Sequence, residues 1–462
     1  MTPEMFDSLR AVVGPQGFAA GADIEPRFLA DWSPFAGGVP LAVVRPQTPA
    51  QVAGALRILC AHRQPVAVQG GLTGLVGGAV PQDGEIVLST ERLRRIEEVD
   101  SVGEAMVVEA GVTLAEIQAA AAPHGLMFPL DIGSRGSCRI GGNISTNAGG
   151  NHVIRYGNTR QSILGLDVAL ADGTRLDMMN RLQKNNTGYD LKHLFIGGEG
   201  TLGVVTRAVL KLHPIPRSRH VALCGLSDFG ALVRLLTLAR RELGDSVSAF
   251  ELMWQEFYAM VLEHVPGIGR PLPPHFAMYA LVEISGKNPE NDRADFERVL
   301  AQALDTGIVQ DAVLAASGKQ FEDLWRVRDG VAEIVQLTVP RISFDISVQV
   351  GAMDAFVTEA REFLTSNFPR ATHLFFGHVG DGNLHVASGP HPAGSGATGR
   401  IAERIYGLVR KHHGSVSAEH GIGFQKKAYL SYSRTPEEIS VMRQLRRLFD
   451  PAGILNRGRI FD

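Results

Sequence analysis

The sequence predicts an α+β protein of more than one domain, and three observations carry that reading. At 462 residues the chain is too long for one ordinary core. Capped amphipathic helices alternate with short apolar runs along most of it. The one stretch with dinucleotide-fingerprint spacing, Gly198-Glu199-Gly200-Thr201-Leu202-Gly203, continues into Val204-Val205-Thr206 as strand, where a doubly wound fold requires a helix.

Taken in order, Thr48-Pro49-Ala50-Gln51 is a capping box with proline at the first helical position, and it opens a helix over 52–62. A strand at 65–68 runs into Gly70-Gly71-Leu72-Thr73-Gly74-Leu75-Val76-Gly77-Gly78, a loop whose successive amides suit an anionic group. A strand at 107–109 precedes a helix over 117–122 capped by Thr113 and Glu116. From Pro129 to Gly150 the chain is small and polar with hardly a periodic apolar face, which predicts an irregular segment wrapped on a ligand. Within it Asn143, Thr146 and Asn147 offer donors and acceptors to a flat heterocycle. Asp172-Gly173 predicts a hairpin with a type I′ turn between strands at 163–171 and 174–178.

Pro214 and Pro216 mark a boundary, which gives a first domain of 1–215 and a second of 216–430. In the second, strands at 221–226, 276–284 and 342–350 alternate with helices at 229–243, 291–304, 320–337 and 355–364. The final helix opens at the capping box Thr435-Pro436-Glu437-Glu438 and belongs to a closing segment, 431–462.

Composition narrows the partners. A net charge of −3 with dispersed basic residues argues against nucleic acid. Three scattered cysteines fit neither a disulfide framework nor a thiolate cluster, and they point to a reducing compartment. The N-terminus carries acid where a signal peptide carries base, and no apolar run of about 18 residues is present, so the expectation is a cytoplasmic protein with no membrane span. The 52 glycines concentrate at 70–84, 133–157 and 197–203, where backbone is brought close to a ligand or turned tightly.

The chemistry gathers between Phe376 and Gly423. A two-residue turn at Asp381-Gly382 pairs His378 directly with His385, about 5 Å apart at Cβ, so that both imidazoles reach one divalent metal. Glu419 then supplies a third ligand and His420 a spare base. Two histidines and a carboxylate leave open coordination positions for a substrate.

Together Gly70–Gly78, Gly133–Gly150, Asn186-Thr187-Gly188-Tyr189-Asp190, Phe195–Thr206, Gly377–His385, Ser417–Gly423 and Asn456-Arg457-Gly458 resemble the FAD-dependent D-2-hydroxy acid dehydrogenases of the vanillyl-alcohol-oxidase flavin fold. The resemblance implies a two-part FAD-binding domain, an α+β, ferredoxin-like cap domain carrying the metal site, and a C-terminal return to the FAD domain. It puts Gly70, Gly71, Leu72, Thr73, Gly74 and Leu75 on the pyrophosphate. Pro129, Gly133, Ser137, Gly141, Gly142, Asn143, Thr146, Asn147, Gly149 and Gly150, with Glu199, Gly200, Gly203, Val204, Val205 and Asn456, fall along the rest of the cofactor. Residues 69–78 contain no histidine, so the implied FAD is non-covalent. His378, His385 and Glu419 match the family's ligands for zinc, manganese or another divalent ion, His420 its base, and Arg328 its anchor for the substrate carboxylate, with Arg326 competing. The implied reaction removes a proton from the substrate hydroxyl and passes hydride from C2 to flavin N5.

Three positions depart from the hydroxyglutarate enzymes. Ala332, Ser343 and Ala387 stand where those resemble threonine, lysine and asparagine, so the expected substrate is a small-molecule D-2-hydroxy acid with an apolar or neutral remote end. An electron-transfer flavoprotein is one expected acceptor and a homodimer the expected assembly. The alternatives are D-2-hydroxyglutarate dehydrogenase proper, an oxygen-using oxidase of the same fold, a non-redox metallohydrolase or lyase, and a non-catalytic metal module.

Overall fold

The computed structural model describes residues 3–462, and the chain divides into two compact units. The first comprises Met1–Gly150, Gly157–Ile215 and Glu419–Asp462; the second comprises Asn151–Tyr156 and Pro216–Ala418. The chain therefore passes back to the first unit between Ala418 and Glu419, earlier than the expected 430/431 division, and lends 151–156 to the second.

The first unit holds two main sheets. In the smaller, Ala42–Val44, Ile86–Ser89 and Val66–Gln69 run parallel, with Phe18–Ala20 antiparallel at one edge. The larger is antiparallel, in the order Ile96–Asp100, Ala105–Glu109, Val204–Lys211, Ile163–Ala169, Arg175–Met178. Strand rather than helix thus follows Gly203, as expected, where the dinucleotide fingerprint would require a helix. One core joins Leu56, Val66, Ile86, Ile140, Val168 and Leu455. The tail is tied in by backbone, with Val66 N donating to Ile454 O at 2.8 Å and Asn456 N to Val66 O at 2.9 Å.

Local chemistry explains most elements and corrects some. Thr113 and Thr435 make complete capping boxes with Glu116 and Glu438. Thr48 caps Gln51 N, but the Gln51 side chain reaches back to Gln47 N, one residue earlier than a regular box. The predicted type I′ turn at Asp172-Gly173 is not formed. Gly173 N donates to Leu170 O and Gly173 alone has positive φ (82°), the arrangement of a type I turn closed by a left-handed glycine. Residues 129–150 are not irregular throughout: Ile140–Thr146 is a short helix ended by Asn147 at φ 50°.

The second unit is built on a seven-stranded antiparallel sheet, ordered Asp311–Leu314, Ser218–Leu226, Met278–Gly286, Val247–Trp254, Thr372–Gly377, Asn383–Gly389, Ile342–Ser347. Register puts Glu251, Met253, Phe376, His385 and Asp345 on one face. On that face Met253, Phe376 and Ala387 pack with Phe257, Trp325, Val327 and Ile334 from Gln255–His264, Gly318–Asp329 and Val331–Gln336. The single helix predicted over 320–337 is two, broken at Gly330, which ends the first and begins the second.

Glu283 shows what this sheet demands of a buried charge. It is fully buried and accepts from Trp325 Nε1 and Ser248 Oγ at 2.8 Å and Arg219 Nη2 at 2.9 Å. Burial pushes its pKa up, but His152 and Arg219 outweigh that and bring it from 4.5 to about 2. A folded pKa below the unfolded one stabilises the fold fully above the unfolded value, and the gain is lost as pH falls toward the folded value. At about 1.4 kcal/mol per pKa unit the gain is about 3 kcal/mol. Glu283→Gln is expected to remove about that much at pH 7 and to flatten the acid loss between pH 4.5 and 2, measured by urea unfolding across that range.

Candidate active site

In the first unit, the strand Val66–Gln69 delivers the loop that begins at Gly70, and this loop lies against the second glycine-rich segment. A side chain on Gly70 would stand 3.5 Å from the Gly142 backbone, whereas one on Gly142 would meet no protein atom within 4 Å. Asn143 is buried, and its Oδ1 has no hydrogen-bond partner. Open space before Gly142 and an orphaned amide oxygen beside it fit a bound heterocycle with hydrogen-bonding edges, so the residues present accommodate FAD.

The other expected contacts divide. Thr146 Oγ1 donates to Gly142 O at 3.0 Å and Asn147 Oδ1 accepts from Arg160 N at 2.9 Å, so both side chains serve their own backbone. Asn456 Oδ1 accepts from Val68 N at 2.8 Å while Nδ2 donates to Glu199 O at 2.6 Å. The Glu199 carboxylate accepts from the amides of Ile422 at 2.7 Å and Gly423 at 2.8 Å. Glu199 and Asn456 therefore act as clamps on the returning tail. Burial raises the Glu199 pKa against the pull of those two amides. Val204 and Val205 lie in strand opposite Ala169 and Val168.

Glu199 also fixes the turn after His420. Gly421 has φ 82°, and a Cβ there would stand 2.9 Å from Glu199 Oε1, so only glycine fits. Within this unit Glu419 and His420 each offer a ligand atom within 4.8 Å of the other's.

In the second unit the histidines do not pair as the two-residue turn predicted. Phe376 is the partner of His385, and the strands end at Gly377 and Asn383, leaving a five-residue connection over 378–382 closed by Asn383 N to His378 O at 3.2 Å. His378 is then a diagonal neighbour of His385, a relation still within reach of long side chains. The rings meet edge to face with centroids 5.5 Å apart, and each offers a nitrogen within 4.8 Å of the other's. The strand pairing moved by two residues, which preserves the face.

Glu251, which no sequence signal marked, organises this pair. Its Oε1 lies 2.7 Å from His378 Nδ1 and its Oε2 accepts from Arg328 Nε at 2.8 Å, with all three residues buried. Burial opposes the charge on Glu251, but His378 and Arg328 outweigh it and hold its pKa below the ordinary value. A carboxylate on Nδ1 holds the ring proton there and leaves the lone pair on Nε2, the tautomer that metal-ligating histidines use. The donor set of two imidazoles thus fits a divalent ion. Arg328 lies with its guanidinium 5.2 Å from the Phe376 ring centroid, while Arg326 is on the surface, donating to Pro266 O. Of the two arginines, Arg328 shares the Glu251 carboxylate with His378, and Arg326 does not.

Asp345, opposite His385, governs the next stretch of chain. It is buried and accepts from Asn383 Nδ2 at 2.8 Å, Ala418 N at 3.2 Å and Ser417 Oγ at 3.5 Å. The chain is therefore pinned to the second unit one residue before Glu419. Asp381, in the connecting loop, is pushed up to about 6 by burial, which His378 opposes.

Comparison with known proteins places this architecture. Residues 40–178 match the FAD binding domain family and 215–460 the family described as FAD linked oxidases, C-terminal domain. D-2-hydroxyglutarate dehydrogenase, mitochondrial, of Bos taurus is 39% identical over 427 residues, covering 92% of this chain and 78% of that protein. D-2-hydroxyglutarate dehydrogenase of Stutzerimonas stutzeri is 36% identical over 467 residues, covering 99% of each. Among solved structures, p-cresol methylhydroxylase with substrate bound superposes with a TM-score of 0.80 at 16% identity, over 99% of this chain and 96% of that one, which establishes the shared vanillyl-alcohol-oxidase-type fold. The chain belongs to the FAD-linked oxidase family and is an FAD-dependent oxidoreductase. Among the described residues no helix is long and apolar enough to cross a membrane.

Proposed function

We propose that this protein oxidises a D-2-hydroxy acid to the 2-oxo acid, with His378, His385 and Glu419 holding a divalent ion such as zinc or manganese and His420 taking the hydroxyl proton. The observation that carries the metal reading is the Glu251 carboxylate on His378 Nδ1. It assigns the ring proton of His378 to Nδ1 and the lone pair to Nε2, the tautomer a metal ligand needs. FAD, when bound, supplies a two-electron acceptor, and a divalent ion supplies positive charge that favours the deprotonated hydroxyl.

The remaining work falls to side chains. Arg328, buried and oriented through its Nε by Glu251, keeps its terminal nitrogens for the carboxylate next to the reacting carbon. Phe376 stacks on His385 with centroids 5.0 Å apart and keeps that end of the face apolar. The names of the relatives support a D-2-hydroxy acid substrate. An electron-transfer flavoprotein as acceptor, a homodimeric assembly and a cytoplasmic location complete the proposal; the free cysteines support the last.

The test is anaerobic mixing of the purified yellow protein with D- and L-2-hydroxy acids. Bleaching of the flavin by D acids is expected, with the rate falling at least about 100-fold after chelator treatment and returning with zinc or manganese. Bleaching by L acids alone, or full activity after verified metal removal, overturns the proposal.

A further inference from the structure

In the reading above Arg328 aims its terminal nitrogens at the substrate carboxylate, and its bond to Glu251 through Nε fixes only part of that aim. One directed contact holds a point and leaves the helix Gly318–Asp329 able to roll about it, since apolar packing is non-directional. Arg328 also lies in the last turn, just before the break at Gly330. A second fixed point is required, and Trp325 supplies it.

Trp325 stands three residues before Arg328, so the two side chains are neighbours on one helix face, about 5–6 Å apart at Cβ. Trp325 Nε1 donates to Glu283 Oε2 at 2.8 Å, as Arg328 Nε does to Glu251 Oε2. The acceptors match that spacing. Glu283 pairs with Ala249, two residues from Glu251 on the same strand, so the carboxylates are diagonal neighbours on one sheet face, about 7–8 Å apart. The helix thus stands on two buried charged posts.

Glu283 is held in place by other donors besides the indole. Ser248 and Ser285 donate to its Oε1 at 2.8 and 3.2 Å, and Arg219 to its Oε2 at 2.9 Å. A buried indole needs some acceptor, and a neutral carbonyl would satisfy it. A fully buried carboxylate fixed by three donors does more, because it gives the charge-assisted bond a set position. We propose that Glu283 and Trp325 are positioning residues for the reaction, setting the roll of helix Gly318–Asp329 so that Arg328 meets the substrate carboxylate. The inference rests on the D-2-hydroxy acid reading above, in which Arg328 binds that group.

The test is Trp325→Phe, which keeps a ring and removes the donor, assayed by reduction of the bound flavin in the holoenzyme with D-lactate, D-2-hydroxyvalerate and D-2-hydroxyglutarate. For the acid that reduces the wild-type flavin best, KM is expected to rise about 10-fold with kcat within about 3-fold, because a binding contact is weakened equally in ground and transition states. Metal retained after dialysis against chelator should not change, since the bond from Glu251 to His378 is untouched. In an Arg328→Met background the same substitution should move KM less than about 2-fold, because residues that act through one group are not additive. Val299→Ala, at a fully buried position outside the cluster that contains Trp325, controls for lost stability and should leave KM within about 2-fold. Glu283→Gln, which leaves the indole a neutral acceptor, should raise KM about 3-fold and serves where Trp325→Phe does not fold. An unchanged KM in Trp325→Phe, or in Glu283→Gln where it stands in, overturns the inference and leaves the hydroxy acid reading standing. So does an equal rise in Val299→Ala, or full additivity with Arg328→Met. Failure of every D-2-hydroxy acid to reduce the wild-type flavin overturns both.

Discussion

Replacing Glu251 with alanine is expected to cost about 3–5 kcal/mol of stability and to abolish substrate-driven flavin reduction, because two buried cationic or proton-bearing groups lose their common partner. Arg328 and His378 both bond to this carboxylate, and neither is more than 10% exposed at its side chain. Removing it leaves a guanidinium uncompensated in a dry environment, the costlier half of a broken pair. Glu251→Gln is the finer probe. It keeps the shape but withdraws the charge from His378 Nδ1, so metal affinity should fall about 10–100-fold with the fold retained. Metal content after dialysis against graded chelator, read beside urea unfolding, separates the two effects. A Glu251→Gln protein with wild-type metal retention would reduce Glu251 to a structural counter-ion.

The sequence was legible where local chemistry decides the outcome. Thr113 and Thr435 cap as read, the strand after Gly203 excludes the dinucleotide fold, and His378 and His385 do present their rings to one another. What failed was register and partnership. The Asp381-Gly382 dipeptide looks like a two-residue turn, yet Asp381 N bonds to His378 O and Asn383 N bonds to the same carbonyl, so the loop takes five residues. The error kept its face because the shift is an even number of residues. Glu251 was invisible for another reason: it lies in an apolar run, Ala249-Phe250-Glu251-Leu252-Met253, and its partners are distant in sequence. A lone carboxylate in a buried strand is a signal of a paired charge, but nothing in the run names the partner.

His420→Ala is expected to slow flavin reduction by D-2-hydroxy acids about 10²–10⁴-fold while FAD remains bound, since general-base catalysis contributes about that much. The retention of FAD follows from where the turn is held. Ile422 and Gly423 donate their amides to Glu199, and Gly421 passes that carboxylate without a side chain, so the backbone around 420 does not depend on the imidazole. A neutral imidazole as proton acceptor also predicts that the decline in rate toward low pH flattens in the variant, a change that lost packing alone would not produce. Glu199→Gln serves as the contrasting variant: it loosens the turn while keeping His420, so it should lower the rate less and leave the pH profile in place. Loss of flavin from His420→Ala would make the residue part of the cofactor's seat. An unchanged rate would move the base to another group, and Asp381, with its pKa raised to about 6, would be the next to replace.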